Sequence, residues 1–317
     1  MTRRQILASG TAGAAALVVG GLLRSGVDDR NAAAVPLVDR AVFGAYADNE
    51  PWPDVQAHYD LEGAVGGRLP VMSWFQDWGP GWLERQAADA AASGHSLVIA
   101  WEPSRDGRPI PFPDILNGRY DDYVRGFFAG AAAHPRPVVV RPFWEMNGNW
   151  AAYSVASPNR AVTSVDEWKA TWQHVVRLQR EVAANTQMMF CANGSDVGGV
   201  PVEAYWPGVE WVDRLGLDTY NGQHGPWRDP AALIAPMYRR LTALHPRAPV
   251  ALAEIGCREA RHGEGQSKAD WLRQLFTERG FSRVDSVLWF HSDKEEDWRL
   301  TSSQQALHVS QQYLGRP

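Results

Sequence analysis

The chain has 317 residues, 45% hydrophobic and 21% charged, with 36 acidic against 31 basic side chains. This is ordinary globular composition, enough for one large domain or two small ones. A formal net charge of −5 gives no electrostatic attraction to nucleic acid or anionic lipid, so neither is an expected partner.

The N-terminus reads as a targeting segment. In Thr2-Arg3-Arg4-Gln5-Ile6-Leu7, paired arginines precede an Ala/Gly/Val/Leu stretch reaching Leu23, and Ala32-Ala33-Ala34 follows as a small-residue cleavage site. The pattern resembles a twin-arginine export signal, which predicts a signal over residues 1–34, a folded domain over 35–317, and a secreted or cell-surface location. The alternative is an uncleaved membrane anchor, since the stretch approaches the roughly 18–20 residues that span a bilayer. Its Ala and Gly content makes it weakly hydrophobic, which favours cleavage.

Beyond residue 40, short apolar runs alternate with amphipathic stretches of helical period. The apolar runs are Ala41–Ala47, Pro70–Phe75, Ser96–Trp101, Pro137–Phe143, Thr186–Cys191, Val212–Leu217, Pro249–Ala253 and Arg283–Phe290. Helices are expected over Trp82–Ser93, Tyr120–His134, Val165–Ala184, Pro230–His245, Lys268–Gly280 and Ser302–Leu314, with weaker patterns near Pro53–Gly66 and Val202–Tyr205. Ser164-Val-Asp-Glu167 has the spacing of a capping box. Eight such alternations predict a single (β/α)8 barrel of the α/β class, an open doubly wound sheet being the alternative. No Gly-x-Gly-x-x-Gly turn follows the first run, which argues against dinucleotide binding. Cys191 and Cys257 each lie in or at the end of an apolar run and read as buried free thiols.

A barrel of this kind builds its site at the C-terminal ends of its strands. In order, those ends bring Trp74 and Asp77, Trp101 and Glu102, Trp144, Glu145 and Asn147, then Asn193, Asp218, Tyr220, Glu254 and Trp289. Indole faces stack on sugar rings while amides and carboxylates take their hydroxyls, so the mixture suits a hydroxylated ligand. The helix-embedded Trp82, Trp168, Trp172 and Trp271 read as core, and Lys294-Glu-Glu-Asp297 as a solvated face. Pro103 directly after Glu102 gives that residue a second reading, as part of a fixed loop.

Two carboxyls stand out. Glu145, between Trp144 and Asn147 with Trp150 close behind, ends a buried Val138-Val-Val140 run; an apolar setting favours its protonated form. Glu254 is the one charged residue ending Val250-Ala-Leu-Ala, before a glycine exit. Across a sugar site, two carboxyls with separated pKa values are the equipment of glycoside hydrolysis. Glu145 is then the candidate proton donor and Glu254 the candidate nucleophile, steadied by Tyr220 and Arg141. Retention predicts carboxyls about 5–5.5 Å apart, inversion about 6.5–9.5 Å.

Arg141-Pro-Phe-Trp-Glu-Met-Asn-Gly-Asn-Trp150 resembles the acid/base segment of glycoside hydrolase family 26. Leu252-Ala-Glu254-Ile-Gly256 is similar to that family's nucleophile strand, Gly216–Asn221 to its tyrosine-bearing strand, and Trp289 to its aromatic platform. The resemblance covers the chain in order after residue 40. It implies a clan A (β/α)8 barrel, the acid/base after strand four, the nucleophile after strand seven, retention, and no obligatory cofactor or metal. It implies an endo-β-glycosidase, most like a mannan endo-1,4-β-mannosidase, acting on a polysaccharide or oligosaccharide; a monomer is expected. Strand ends and resemblance together give the candidate substrate residues Trp144, Asn147, Trp150, Tyr220, Trp289, Trp101, Trp74, Arg141, Asn193 and Asp218. Trp144 stands where many members, mannanases above all, have histidine; an indole offers one donor and a large apolar face. The alternatives are the same chemistry on β-glucan, xylan or an exopolysaccharide, and a non-catalytic glycan-binding barrel.

Overall fold

The computed structural model describes residues 35–47, 55–223 and 225–315. The arginine pair and the apolar stretch behind it lie outside the described residues. Among the described residues, no helix is long and apolar enough to cross a membrane.

Eight parallel strands close into a barrel. They are β1 Val42–Ala47, β2 Val71–Asp77, β3 Ser96–Glu102, β4 Val138–Pro142, β5 Gln187–Asn193, β6 Arg214–Asn221, β7 Val250–Cys257 and β8 Val284–His291. Each pairs with its sequence neighbour, and β1 also pairs with β8, so no barrel edge is left open. Each strand falls within two residues of its apolar run at the start, and β5, β6 and β7 run two to four residues further. Helices follow most strands, including Val55–Val65, Glu84–Ala92, Asp121–Ala133, Val165–Val182, Pro230–Leu244, Lys268–Thr277 and Gln304–Leu314. Between β5 and β6 the crossover has 3-10 turns, Val202–Tyr205 and Val209–Trp211, rather than an α-helix.

Strand side chains alternate between two layers. Met72, Leu97, Ile99, Val140, Phe190, Leu217, Leu252 and Val287 point outward into the large core beneath the helices. Val71, Val98, Val139, Met189, Cys191, Ala251, Ala253 and Leu288 fill the interior. That interior is narrow: a Cβ on Gly216 would stand 2.7 Å from both Met189 Sδ and Cys191 Sγ. Cys191 and Cys257 are free and buried, as expected. Trp168, Trp172 and Trp271 are fully buried helix residues. At Ser164 the hydroxyl accepts from Glu167 N, but Glu167 Oε2 returns to Thr163 N, one residue earlier than a capping box requires. The complete box is at Ser267 and Asp270.

At the strand starts, His58, Glu62 and His95 cluster. Three of their four ring nitrogens are engaged with protein: His58 Nε2 donates to Leu69 O at 2.8 Å, while His95 Nε2 meets Glu62 Oε1 at 3.0 Å and Nδ1 meets Ser93 Oγ at 2.8 Å. Burial lowers the pKa of His58 to about 4. His291 is also brought to about 4, by burial and then by the charges of Lys268 and Arg299. Both histidines therefore fold neutral, while the unfolded chain takes up protons below its ordinary value near 6.5. Between those values the unfolded state binds more protons, so stability falls as pH falls. Urea unfolding at stepped pH is expected to show a smaller histidine-linked loss between about pH 6.5 and 4 in His291→Asn than in wild type, a difference from which the opposing contribution of the raised site carboxyls cancels.

Candidate active site

At the C-terminal mouth of the barrel lies a cleft of about 1080 Å³. Glu145 and Glu254 both line it, with Trp144, Trp150, Tyr153 and Tyr220. Neither glutamate arrives by regular strand geometry. In β7, Ala251 and Ala253 occupy the interior, so simple alternation would turn Glu254 outward. A bulge prevents this. Leu252 pairs with Leu217 and Val287, but Glu254 is the next residue to pair with β6 and Ile255 the next with β8, leaving Ala253 unpaired. Two consecutive residues, Ala253 and Glu254, thus face inward.

Glu145 follows β4 in a strained turn. Phe143 and Glu145 both have φ of +54°, a conformation unfavourable for any residue with a Cβ. The turn is pinned by neighbours: Glu145 N donates to Cys191 O at 2.8 Å, and Gly148 N donates back to Glu145 O at 2.8 Å. Phe143 is anchored in an aromatic cluster with Phe112, Trp168 and Trp172. Gly148 leaves room for the Trp150 ring, since a Cβ there would come within 2.4 Å of Trp150 Cζ2. Trp150 is 52% exposed and donates its indole N–H to Glu145 Oε2 at 3.0 Å.

Beneath the cleft, Arg141 is fully buried. Its Nη1 donates to Asp218 Oδ2 at 2.7 Å and its Nη2 to Glu254 Oε1. Tyr220 OH donates to Glu254 Oε2, so both oxygens of Glu254 hold a donor. The guanidinium also faces the Phe75 and Trp144 rings at 5.5 and 5.8 Å. Cys191 Sγ donates to Asp218 Oδ1 at 3.2 Å.

Glu145, Asp218 and Glu254 each bring a carboxylate oxygen within 4.8 Å of the others. Three carboxyls around one guanidinium cannot all ionise cheaply. Burial, and then the charges of Asp218 and Glu254, hold Glu145 well above the usual carboxylate range; the Trp150 hydrogen bond opposes this. Asp218 is raised to about 8, chiefly by burial. The site is thus built to keep protons that exposed acids would lose at neutral pH.

Several expected site residues fall elsewhere. Trp74, Trp101 and Trp289 are at most 3% exposed and do not line the cleft. Each is one residue out of step with the inward positions and so points into the helix layer. Trp101 stacks on Phe127 at 4.2 Å and on Trp78 at 4.5 Å. Trp289 donates its indole N–H to Trp298 O at 2.8 Å, and Trp74 packs in the same outer core. Asn147, fully buried, ties down the loop after β5: its Nδ2 donates to Asn193 O and Asp196 Oδ1, and its Oδ1 accepts from Asn193 N. Arg141 and Asp218 lie below the cleft wall and act through Glu254 rather than on a ligand. Trp144, Trp150, Tyr220 and Asn193 do line the cleft.

Residues not singled out from the sequence complete the walls. Tyr46, Phe75 and Phe290 form one aromatic side, with Tyr46 stacked on Phe290 at 4.8 Å. Strand parity could have found them, because the small residues Gly44, Ser73 and Ala100 mark the inward faces on which Tyr46, Phe75 and Glu102 follow. Lys294 and Glu295, read as a solvated face, also reach the cleft.

Replacing Arg141 with Met leaves two buried carboxyls without their shared partner. Denaturant unfolding is expected to show a loss of about 3–5 kcal/mol, the usual range for breaking a buried ion pair.

Comparison with known proteins agrees with this geometry. The family model described as "Glycosyl hydrolase family 26" matches residues 130–272, a span holding both Glu145 and Glu254. The chain is 26% identical over 285 residues to "Endoglucanase H" of Acetivibrio thermocellus, covering 86% of this chain and 30% of that protein. It is 30% identical over 131 residues to "Mannan endo-1,4-beta-mannosidase A and B" of Caldalkalibacillus mannanilyticus, covering 40% of this chain and 23% of that protein. It thus spans less than a third of the length of these curated relatives. Among solved structures, a β-mannanase from Bacteroides ovatus superposes with a TM-score of 0.62 at 16% identity, covering 91% of this chain and 93% of the other. A Bacillus subtilis mannanase gives 0.61 at 15% identity, covering 90% of each. Together with the closed eight-stranded barrel, these likenesses make the chain similar to glycosyl hydrolase family 26, most directly over residues 130–272.

Proposed function

We propose that this protein is a retaining endo-β-glycosidase that hydrolyses O-glycosidic bonds of a polysaccharide, of the mannan endo-1,4-β-mannosidase kind. The observation that carries this reading is the pair Glu145 and Glu254, with an oxygen of each within 4.8 Å of the other in an open cleft. That spacing matches direct attack by one carboxylate and leaves no room for the water that an inverting pair holds between its members.

In the first step Glu254 attacks the anomeric carbon while Glu145 gives its proton to the departing sugar oxygen. The hydrogen bonds from Arg141 and Tyr220 hold both carboxylate oxygens of Glu254 and aim it. The glycosyl–enzyme ester then loses its sugar to a water molecule whose proton returns to Glu145. The raised pKa of Glu145 suits both duties: it carries a proton to give, and, once ionised, is basic enough to take one back.

A second reading, β-glucan as the polymer, draws on the similarity to the protein named Endoglucanase H, which extends over 86% of the chain. The indole of Trp144 beside Glu145 supports it, in a position where a histidine would offer more polar contacts. Export by the twin-arginine route and action as a monomer complete the proposal; Arg3-Arg4 and the apolar stretch to Leu23 support the export. A panel of mannan, mixed-linkage glucan, xylan and β-1,3-glucan, with reducing ends and anomeric configuration followed, tests substrate and retention together.

Glu145→Gln and Glu254→Gln are each expected to lower kcat at least ~100-fold without loss of fold. Full activity in either variant would overturn the pairing. The pH profile gives a finer test. Activity should fall as pH rises through the raised pKa of Glu145, when the acid loses its proton. Trp150→Phe removes a hydrogen bond that stabilises the charged form, so the alkaline limb of kcat/KM should move to higher pH.

A further inference from the structure

We propose that the carboxylate of Glu102 and the hydroxyl of Tyr153 form a binding corner for two adjacent hydroxyls of an uncharged sugar ring next to the cleaved bond. This deepens the glycosidase reading and rests on it.

The corner is conspicuous because the other acids of the barrel mouth are engaged. Asp218 and Glu254 share Arg141, Glu145 holds the Trp150 N–H, and Asp77 Oδ1 accepts Gly79 N at 3.0 Å. Glu102 lines the cleft with no hydrogen-bond or ion-pair partner among the described residues. Tyr153 is 2% exposed, also lines the cleft, and its hydroxyl likewise has no partner among the described residues. Both polar ends open on the cleft, so a ligand can take the hydrogen bonds that the protein leaves unmade.

Both groups are held in place before any ligand arrives. Glu102 ends β3 on its inward face, and the loop behind it is fixed: Ile110 N donates to Pro103 O and Trp78 N to Ser104 O, each at 2.8 Å. The Tyr153 ring packs against Trp144 at 5.6 Å and Phe143 at 6.1 Å. Its chain segment is tied by Ser154 Oγ donating to Gly148 O at 2.6 Å. The two groups sense one another: burial raises the Tyr153 hydroxyl well above its ordinary value, and the charge of Glu102 is the next cause. Glu145 also acts on Tyr153, which sets the corner beside the proposed proton donor.

The chemistry of the corner selects its ligand. A carboxylate is a double acceptor, the phenol can donate or accept, and vicinal sugar hydroxyls supply the donors. The face of Trp144 alongside suits the apolar face of a pyranose. A uronic acid is disfavoured, because its carboxylate would meet that of Glu102 with Asp77 nearby, and Arg141 is already shared between two carboxyls.

The experiment uses the full chain with mannopentaose, a mixed-linkage glucan tetrasaccharide and xylopentaose as probes. On whichever probe wild type cleaves, Glu102→Gln and Tyr153→Phe should each raise KM roughly tenfold or more, with kcat changed far less. The double variant should lose less than the product of the single losses, because both groups serve one sugar. Glu102→Asp keeps the charge one methylene further back and should give an intermediate KM, separating lost contact from lost fold. Unchanged KM in Glu102→Gln and Tyr153→Phe, with wild type active, would overturn the corner while leaving the glycosidase reading intact. Tighter binding of fully deacetylated chitopentaose than of any neutral probe, lost in Glu102→Gln, would assign an ammonium ligand and overturn the diol. Wild type that neither binds nor cleaves any neutral probe would overturn the glycosidase reading itself, and this corner with it.

Discussion

One buried guanidinium organises the site. Arg141 is withdrawn from water at the centre of the barrel, with Asp218 on one nitrogen and Glu254 on another. Burying a charge is costly unless it is paired and hydrogen-bonded, so this arrangement stands only while both carboxyls stay in place. The same guanidinium holds one oxygen of Glu254, and Tyr220 holds the other. Glu145, outside the direct reach of the guanidinium, experiences mainly burial and negative neighbours. Two chemically identical side chains thus sit in unlike surroundings, one hydrogen-bonded to the fixed cation and one not.

Two departures from regular backbone deliver those side chains. The bulge at Ala253 turns Glu254 inward against the alternation of its strand, and the left-handed turn at Phe143 and Glu145 ends β4 abruptly. Strain of this kind persists only where surrounding structure over-determines it. Here the anchors are the aromatic cluster on Phe143 and the hydrogen bond from Glu145 N to β5. Stability and function meet in this ring of contacts: the residues that fix the turn also aim the acid.

The aromatic side of the cleft is divided by strand parity. Tyr46, Phe75 and Phe290 face the cleft, while Trp74, Trp101 and Trp289, one residue away on β2, β3 and β8, seal the helix layer. Large size and position near a strand end do not distinguish the two sets. The interior small residues do, because the barrel lumen admits only a few side chains per layer. Asn147 shows a similar division: an amide suited to a sugar hydroxyl is instead consumed by the loop after β5.

By itself the sequence determined the barrel and its reaction class. Alternating apolar and amphipathic runs can be buried together in few ways, and Glu145 and Glu254 end runs too apolar to hold unpaired acids without reason. The site partners Arg141 and Tyr220 were legible for the same reason, as polar residues at the ends of buried strands. Only the tertiary structure decided which face each strand residue presents, because a single bulge or one step of parity moves a side chain between cleft and core. It also decided which polar groups are already satisfied, leaving Glu102 and Tyr153 open to a ligand while Asn147 and Asp218 are not. Hydrogen-bond satisfaction is a property of residues distant in the chain and adjacent in space, and no local pattern records it.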